Sequence, residues 1–490
     1  MRILMLNPPF LPHYSRGSRS PCVPKGGTLY YPIWLSYATG VLENEGFKVK
    51  LIDAPARGLD EEDIKKIVKQ FNPNLIVIDT STPSIYNDVK VGEAIKEITD
   101  SFVILVGMHP SALPEQTLKI SEKIDAVARH EYDYTIRDLA STLESEKKLE
   151  TVKGITFRNN GGIIHNQDRP FIENLDEIPF ISEVYKKHLR IEDYFYSANL
   201  HPVITILSGR GCVYRCAFCV WPEVFSGHKY RFRSVKNVVD ELEYIKNEFP
   251  QVKEIFLEDD TLTVNLKRCR ELSDLIVKRK LDITFSCNSR AEADFITLKK
   301  LKEAGCRLLC VGFESGVQKI LDNIHKRITI EKIKQFMKDA KKAGIFVHGC
   351  FILGMPGDTK ETVMKTIEFA KELNPDTAQF FPLMVYPGTE AYEWAKKNGY
   401  LVTEDFSKWL TAEGQHNTLV SRPGLSNREL VELCDQARRE FFLRPDYIFY
   451  KIRQMITKPK ESKRTFKSAK TFFKFLFRGS LPEHKCGTCQ

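Results

Sequence analysis

The sequence predicts an α/β protein with a doubly wound parallel sheet, a partial barrel and a helical C-terminal region. Two long stretches, 1–135 and 201–400, alternate short β-branched apolar runs with helical patterns. This alternation is typical of parallel strands that are joined by helices. Residues 136–200 interrupt it and are predicted to be a connector, and residues 401–490 are predicted to be helical with a basic tail.

Five apolar runs are predicted to be the strands of the first sheet: 3–6, 49–53, 75–80, 103–107 and 126–128. Helical patterns lie between and after them at 33–45, 61–70, 88–98 and 115–121. Such sheets bind ligands beyond the carboxyl ends of their strands, so loops 7–9, 53–55, 81–83 and 107–110 should line one crevice. No GxGxxG follows the first strand, which argues against a nicotinamide or flavin dinucleotide.

Inside the connector, Asn159-Asn160-Gly161 predicts a hairpin of 151–158 and 162–166. The second alternating stretch predicts six strands: 203–207, 254–258, 283–287, 308–314, 346–353 and 378–384. Its predicted helices are 235–247, 297–304, 330–343, 362–373 and 390–397. Six parallel units imply a curved, partly open barrel related to the TIM fold, with its reactive groups at the carboxyl ends of the strands.

Three cysteines lie within eight residues after the first barrel strand: Cys212, Cys216 and Cys219. A [4Fe–4S] cube ordinarily has four thiolate ligands, so three predict a cube with one open iron. Structural zinc with His228 as fourth ligand is the alternative. The opening of the chain lacks the apolar core of a signal peptide, and no stretch has the length of an apolar membrane span. The twelve cysteines are therefore predicted to be reduced thiols in a cytosol.

CxxxCxxC in this setting resembles the signature of the radical SAM superfamily. There the open iron chelates S-adenosylmethionine (SAM), and an electron from the cluster yields a 5′-deoxyadenosyl radical. The resemblance implies that the three cysteines bind the cluster, and it implies SAM contacts at the strand ends and beside the last cysteine: Phe218, Glu258, Asp259, Arg290, Glu314 and Ser315. Two alternatives stay open, since Phe218 can be plain packing and Asp260 can be a helix N-cap.

The first sheet resembles the cobalamin-binding domain that precedes many radical SAM enzymes. The resemblance rests on the Asn-Pro-Pro opening, the Gly-Met-His-Pro-Ser turn and Glu131. The residues expected to contact cobalamin are Asn7, Pro8, Thr82, Gly107 and His109. The motif DxHxxG, whose histidine ligates cobalt in several other cobalamin enzymes, is absent, so we predict binding without a histidine below the cobalt. His109 is the candidate ligand by location, and a sheet that only serves as a scaffold is the alternative.

Together, residues 1–400 resemble cobalamin-dependent radical SAM enzymes, particularly the branch that contains the anaerobic magnesium-protoporphyrin monomethyl ester cyclase and related methylases. The resemblance implies an enzyme that methylates or rearranges an unactivated carbon of a small-molecule or lipid-like substrate. It also implies an electron donor such as flavodoxin or ferredoxin. The alternative is a non-catalytic sensor of oxygen or cobalamin, although residues 400–490 show no recognisable DNA-binding helix pair.

The basic charge of the chain lies in its tail. Residues 451–490 carry eleven Lys and Arg and two Glu, which accounts for the whole net charge of +9 and argues against nucleic acid as a partner. Within the tail, 465–478 predicts a basic amphipathic helix. This helix either lies on a membrane surface or packs on the barrel. In the first case the protein, which is predicted to be cytoplasmic, would be associated with a membrane. The Cys486/Cys489 pair can be a redox pair or an additional pair of metal ligands, and an inconsequential tail is the favoured interpretation. Cys350 is a candidate hydrogen donor inside the barrel.

Overall fold

The computed structural model describes residues 1–458, 461–462 and 464–466. They form two large sheets with helices packed around them, followed by a helical C-terminal part, so the predicted fold class is confirmed. Of the predicted amphipathic helix 465–478, only Thr465 and Phe466 are among the described residues. The Cys486/Cys489 pair also lies outside them.

The first sheet has seven strands: β1 Arg2–Asn7, β2 Lys48–Asp53, β3 Leu75–Thr80, β4 Phe102–Gly107, β5 Ala126–Ala128, β6 Ile155–Asn159 and β7 Gly162–His165. Their order is β2-β1-β3-β4-β5-β6-β7, and β1 to β5 are parallel. The predicted hairpin is β6–β7, which pairs antiparallel with β5. The first sheet therefore continues beyond the predicted boundary at residue 135, because the free edge of β5 is covered by the chain that follows it.

The helices of this part are α1 Ile33–Asn44, α2 Ala54–Arg57, α3 Glu61–Phe71, α4 Ile85–Lys96, α5 Met108–Ala112, α6 Pro114–Lys119, α7 Asp133–Glu144 and α8 Ile181–His188. They bury both faces of the sheet. In β1, Ile3 and Met5 belong to one apolar core and Leu4 and Leu6 to the other. A strand covered on both faces needs apolar residues at every position, which is why these strands are continuous apolar runs in the sequence.

The second half contains β8 Val203–Ile206, β9 Gly209–Arg210, β10 Arg231–Phe232, β11 Glu254–Leu257, β12 Phe285–Ser289, β13 Cys306–Glu314, β14 Phe346–Leu353 and β15 Thr377–Pro382. Six of them form a sheet of order β15-β14-β13-β12-β11-β8 in which every pair is parallel. This is the predicted open (β/α)6 barrel. The short strands β9 and β10 form an antiparallel pair beside it.

Five of the six barrel strands differ from their predicted ranges by one or two residues at an end. β8 and β11 each end one residue earlier than predicted, and β13 begins two residues earlier. β12 runs two residues later than predicted, because the polar residues Asn288 and Ser289 pair with Cys310 and Val311 of β13. β15 ends at Pro382 instead of residue 384. The polarity of Asn288 and Ser289 suggested a loop, but backbone pairing to a neighbouring strand decides where a strand ends.

The remaining helices are α9 Val235–Glu248, α10 Leu266–Lys278, α11 Phe295–Glu303, α12 Gln318–Asn323, α13 Ile330–Ala343, α14 Lys360–Leu373, α15 Glu390–Lys397, α16 Asn427–Phe442 and α17 Pro445–Thr457. Several begin where a Ser, Thr, Asp or Asn side chain accepts the amide of the third helical residue, as Ser234 does for α9 and Thr359 for α14. Among the described residues, no helix combines the length and the apolar character needed to cross a membrane.

Buried ion pairs join the two sheets at their carboxyl ends. Arg210, which follows β8, donates to Asp133 at 2.8 Å, and Arg231 of β10 donates to Glu131 at 2.9 Å. Both carboxylates follow β5 in the first sheet. The carboxyl edges of the two sheets therefore face each other across one interface, and Glu131, which resembled a feature of cobalamin domains, lies in that interface as an ion-pair partner.

Candidate active site

The three cysteines lie on a loop that the backbone holds at several points. Cys212 N donates to Gly227 O at 3.1 Å, Ala217 N to Ile324 O at 3.1 Å, and Cys219 N to Cys216 O at 2.9 Å. Gly211 precedes Cys212 with φ +85°, and a Cβ there would run into the carbonyl of Lys229. The predicted sharp turn before the first cysteine is therefore present, and it needs glycine.

All three cysteines are free thiols and half-buried. Burial, followed by the negative charge of Asp260, raises the pKa of Cys212 to about 11. The pKa of Cys219 is raised by the same causes. Because a thiol must lose its proton to ligate metal, these side chains need a bound cation to become thiolates.

The surroundings of the loop fit an iron–sulfur cluster. A cavity of about 340 Å³ lies against Cys216 and Cys219. Arg290 Nη1 is 3.9 Å from Cys216 Sγ, and donors of this kind tune the potential of a cluster. His228, the candidate fourth ligand of the zinc alternative, contacts Glu223 and the carbonyl of Cys212 through its two ring nitrogens. Within the described ranges, no group of three or more His, Cys, Asp or Glu side chains is arranged to hold a single metal ion.

The acidic residues after β11 have different surroundings. Asp259 is fully buried and accepts from Ser208 N at 2.6 Å, Ser208 Oγ at 2.7 Å and Tyr230 Oη at 2.8 Å. Its carboxylate therefore holds neighbouring loops together, and its predicted contact with SAM stays a prediction. Glu258 is also buried, but its Oε2 accepts no hydrogen bond from any described residue. Glu258 is thus the acidic residue of this pair with spare acceptor capacity.

Arg19 reaches this acidic group from the first half of the chain. Its guanidinium donates to Glu258 Oε1 at 2.6 Å and lies 3.4 Å from Asp260 Oδ1. The same guanidinium lies 4.3 Å above the ring of Trp221. Burial raises the pKa values of Glu258 and Asp260 above their ordinary range, and the positive charge of Arg19, which the two carboxylates share, offsets this only in part. Asp260 caps no helix: it accepts from Arg19 and from Ser226 Oγ at 3.2 Å.

The other predicted SAM residues lie near the same edge. Arg290 contacts Glu292 at 3.2 Å and stacks 3.6 Å above the ring of Tyr214. Glu314, with φ +64°, accepts from Lys326 Nζ at 2.7 Å. Arg290 and Glu314 are thus beside the cluster loop, each with a protein partner.

Ser315 and Phe218 are placed differently. The Ser315 hydroxyl is buried against Thr366 Oγ1 at 3.1 Å, which directs it toward α14. Phe218 is half-buried and packs against the apolar cluster that contains Trp221 and Tyr386. The contacts of all these residues with SAM stay predictions.

The lumen of the barrel opens below this edge. Along β14 alternate residues are half-exposed, among them His348 and Cys350, whereas Val347 and Phe351 belong to the core under the helices. Cys350 therefore faces the lumen, as its candidate role requires. Burial raises the pKa of Cys350 to about 12, and the next causes are the charges of Glu314, which raises it, and of Lys326, which lowers it.

The carboxyl edge of the first sheet carries a second polar group. Asn7 Nδ2 donates to Asp53 Oδ1 at 2.8 Å. The fully buried Arg16 pairs with Asp88 at 2.7 Å and donates to Asn7 and to the carbonyl of Pro8. Burial raises the pKa of Asp53 to about 6 and that of Asp79 to about 7.

His109 lies at the same edge, where Nδ1 is 3.2 Å from Thr82 Oγ1 and the ring of Phe406 packs edge-on at 4.9 Å. Burial lowers the pKa of His109 to about 3, so its imidazole is neutral. Gly107 has φ +115°, and a Cβ placed on it would lie only 2.5 Å from the carbonyl oxygen of Thr80. This position therefore needs glycine. The predicted contact residues Asn7, Pro8, Thr82, Gly107 and His109 are therefore brought together.

This edge fits cobalamin in its donor and acceptor chemistry. Two buried hydrogen-bonding atoms nearby, Tyr132 Oη and Trp409 Nε1, have no partner among the described residues. The carboxyl group of Asp79 accepts one hydrogen bond, from the amide of Thr80. The amide side chains of a corrin both donate and accept hydrogen bonds, so they match such spare groups.

Sequence reasoning missed Arg16 and Arg19. Both lie in the 25-residue connection between β1 and α1, residues 8–32. A connection of this length without its own secondary structure is usually functional, and that length was the available signal. A parallel sheet that carries a cobalamin-type loop set, facing a barrel with a three-cysteine loop, is the arrangement of a cobalamin-dependent radical SAM enzyme.

Comparisons with known proteins agree with this class. The profile of the radical SAM superfamily matches residues 206–370, and that of the B12 binding domain matches residues 22–140. An uncharacterized methyltransferase of Pyrococcus horikoshii is 34% identical over 86% of this chain and 89% of that protein. The anaerobic magnesium-protoporphyrin IX monomethyl ester cyclase of Rubrivivax gelatinosus is 27% identical over 88% of this chain and 77% of its own length.

Two solved structures share the fold. The radical SAM methyltransferase TsrM of Kitasatospora setae, with tryptophan and a SAM analogue bound, has a TM-score of 0.64 and 19% identity over 81% of this chain and 76% of that one. The cobalamin-dependent radical SAM enzyme OxsB has a TM-score of 0.61 and 19% identity over 90% of this chain and 61% of that one.

The chain belongs to the family of cobalamin-dependent radical SAM enzymes. The radical SAM and B12 binding profiles match its two halves, and a methyltransferase is 34% identical to it over most of both chains. Its cofactors are a [4Fe–4S] cluster, SAM and cobalamin, and its family is enzymatic. The predicted enzyme class is confirmed, and the comparisons contain no support for a sensor.

Proposed function

We propose that this enzyme transfers a methyl group to an unactivated carbon of a small-molecule substrate that is bound between the two sheets. One observation carries the proposal: Arg16 belongs to the cobalamin edge and Arg19 to the SAM edge, three residues apart on one loop. Three residues span at most about 11 Å of extended chain. The two edges are therefore close enough to act on one substrate.

The residues of the chain have distinct tasks in this reaction. When bound, the cofactors supply a 5′-deoxyadenosyl radical and a methyl group. Cys212, Cys216 and Cys219 hold the cluster, and Glu258, with its unpartnered Oε2, accepts a hydrogen bond from the amine or ribose of SAM or from the substrate. Trp221 and Arg19 exclude water from the acidic group, because the guanidinium lies between the indole and the carboxylates.

The electron donor is proposed to be a protein such as flavodoxin or ferredoxin. The cavity beside Cys216 opens among Arg215, Arg327, Glu223 and Glu390, so its mouth carries two cationic and two anionic side chains. A fixed pattern of charges of both signs favours one orientation of a docked partner with the complementary pattern. The location is proposed to be cytoplasmic, and nucleic acid is not expected as a partner.

The tail 465–478 remains a proposed membrane contact. This proposal rests on the basic and aromatic residues of the segment, which are typical of helices that bind membrane surfaces. Co-sedimentation of the full chain and of a 1–460 truncation with anionic liposomes tests it, and equal partitioning of the two would remove it.

The substrate class is proposed from the lumen. The half-exposed residues that face it mix thiol, imidazole, amide and apolar groups, as in Cys350, His348, Gln379 and Ile352. His348 bonds to Thr377 at 2.7 Å and to Gln379 at 3.1 Å, which fixes these polar groups in place. A substrate with both polar and apolar parts fits this lining better than a plain hydrocarbon chain.

Comparative mass spectrometry of metabolites tests the proposal. A deletion strain and its parent are grown without oxygen, and their metabolites are compared. Compounds whose amounts differ between the two strains are then incubated with the reconstituted enzyme and SAM that carries a deuterated methyl group. A product that contains the labelled methyl group is expected, with 5′-deoxyadenosine formed alongside. A product that has lost hydrogen or been rearranged, with no label, would instead assign the cyclase type of reaction. A Cys216→Ala variant is the matched control.

A further inference from the structure

Helix α17 buries polar side chains and exposes apolar ones, which is the reverse of the usual pattern of a surface helix. Its buried residues are Tyr447, Lys451 and Gln454. Lys451 Nζ donates to Gln454 Oε1 at 2.8 Å, and Gln454 Nε2 donates to Tyr450 Oη at 3.2 Å. A helix on a water-exposed surface normally buries its apolar residues and exposes its polar ones.

The outward face of α17 is apolar. Phe449 is 70% exposed, Ile452 51% and Ile456 75%, with Ile448 beside them at 43%. At 100° per residue, Phe449, Ile452 and Ile456 lie within about 60° of one another around the helix. Phe466, which follows shortly after the helix, is 69% exposed. Such a contiguous patch of large apolar side chains marks a contact surface.

The charge around this face is mainly basic, and the one exposed acidic side chain of α17 is Asp446 in its first turn. Between residues 447 and 482 the chain has ten Lys and Arg and a single acidic residue, Glu461. Glu461 is buried and is neutralised by Arg307 and Arg464, each at 2.9 Å. No acidic side chain of this segment therefore faces outward, whereas Arg453 and Lys458 are exposed beside the apolar face.

We propose that the outward face of α17 docks on an anionic lipid bilayer. Apolar side chains that point outward, surrounded by basic ones, match a membrane interface, where the former are buried among the acyl chains and the latter are attracted to the head groups. The proposal is independent of the tail helix 465–478, because α17 is a separate and described helix. It is also independent of the proposed methyl transfer, because α17 lies away from the site.

The position of α17 determines how the enzyme is oriented on the membrane. Tyr447 Oη donates to the carbonyl of Asp376, which precedes β15, and Lys458 lies 4.3 Å above the ring of Phe346, the first residue of β14. α17 thus covers the amino ends of the barrel strands, opposite the cysteine loop at their carboxyl ends. Docking through α17 therefore turns the active site away from the bilayer, and membrane binding by itself does not imply a lipid substrate.

Liposome co-sedimentation of the reconstituted full-length enzyme tests the proposal. The variant Phe449→Ser/Ile452→Ser/Ile456→Ser is compared with a matched control, Val277→Ser/Ile296→Ser/Val402→Ser, which replaces side chains that are 50%, 63% and 50% exposed elsewhere. On phosphatidylcholine vesicles that contain phosphatidylglycerol, the α17 variant is expected to partition about tenfold less than the wild type, because three large apolar groups no longer enter the interface. The control is expected to partition like the wild type, and SAM cleavage in solution is expected to be unchanged in both.

Three results would overturn the inference. Equal partitioning of the α17 variant and the wild type would assign membrane binding to another segment. No partitioning of the wild type on anionic vesicles at low salt would mean that the face is covered by the chain itself. Conversion of a wild-type dimer to a monomer by the α17 variant, seen by sedimentation velocity, would assign the face to a second copy. Far-UV circular dichroism confirms that both variants fold.

Discussion

Replacement of Arg16 by methionine should destabilise the protein in a pH-dependent way. The guanidinium and the Asp88 carboxylate are both fully buried and lie 2.7 Å apart, and Arg16 also donates to Asn7 and Pro8. Without Arg16, Asp88 keeps two donors among the described residues, Ser84 and Asn87. A buried carboxylate without its cation is strongly unfavourable.

The size of the loss follows from the two states open to Asp88. A charged, unpaired carboxylate costs about 3–5 kcal/mol. Taking up a proton instead costs about 1.4 kcal/mol for each pH unit above the ordinary pKa of 3.8, hence about 4 kcal/mol at pH 7 and about 2 kcal/mol at pH 5. In the variant the folded pKa of Asp88 lies well above 3.8, so the folded state binds the proton more tightly than the unfolded state. Stability therefore falls as the pH rises from 4 to 7.

Urea unfolding at pH 5 and pH 7, followed by circular dichroism without oxygen, measures this loss. The double variant Arg16→Met/Asp88→Leu is expected to recover most of the stability, because it removes both charges from the interior. Equal destabilisation of Arg16→Met at the two pH values would refute the reasoning, as would a double variant less stable than the single one. Arg57→Met, an exposed arginine at the end of α2, is the control.

Three further predictions concern the cofactors. Cys212→Ala, Cys216→Ala or Cys219→Ala should each abolish SAM cleavage and lower the iron content of the reconstituted protein from about four atoms per chain, and full activity of any of them would contradict the cluster assignment. His109→Ala should leave the EPR spectrum of bound cob(II)alamin unchanged and without nitrogen splitting, because the imidazole of His109 already contacts Thr82 and Phe406. Nitrogen splitting in the wild type that vanishes in the variant would show that His109 ligates cobalt. Arg19→Gln should retain iron but lose SAM cleavage by about tenfold, since Glu258 and Asp260 lose a charged hydrogen-bond donor; normal turnover would make Arg19 dispensable.

By itself, the sequence determined the two sheets and the cysteine loop. The strands of both sheets are runs of consecutive residues whose apolar pattern reflects burial, and the thiols of a cluster loop are set by local spacing. The sharp turn at Gly211 could also be predicted, because a positive φ depends on the residue itself and its neighbours in the chain. These features depend on residues that are neighbours in the chain.

Only the tertiary structure decided which side chains share a site. Arg19 and Glu258 are 239 residues apart, and nothing in the sequence around either of them indicates the other. The same holds for Asp259, because nothing in the sequence around it indicates that Ser208 and Tyr230 donate to its carboxylate. The apolar face of α17 was also hidden, because a helical pattern shows that one side is apolar but not which side faces the protein. Pairing between distant elements depends on how the chain folds in space, and that information is absent from any local pattern.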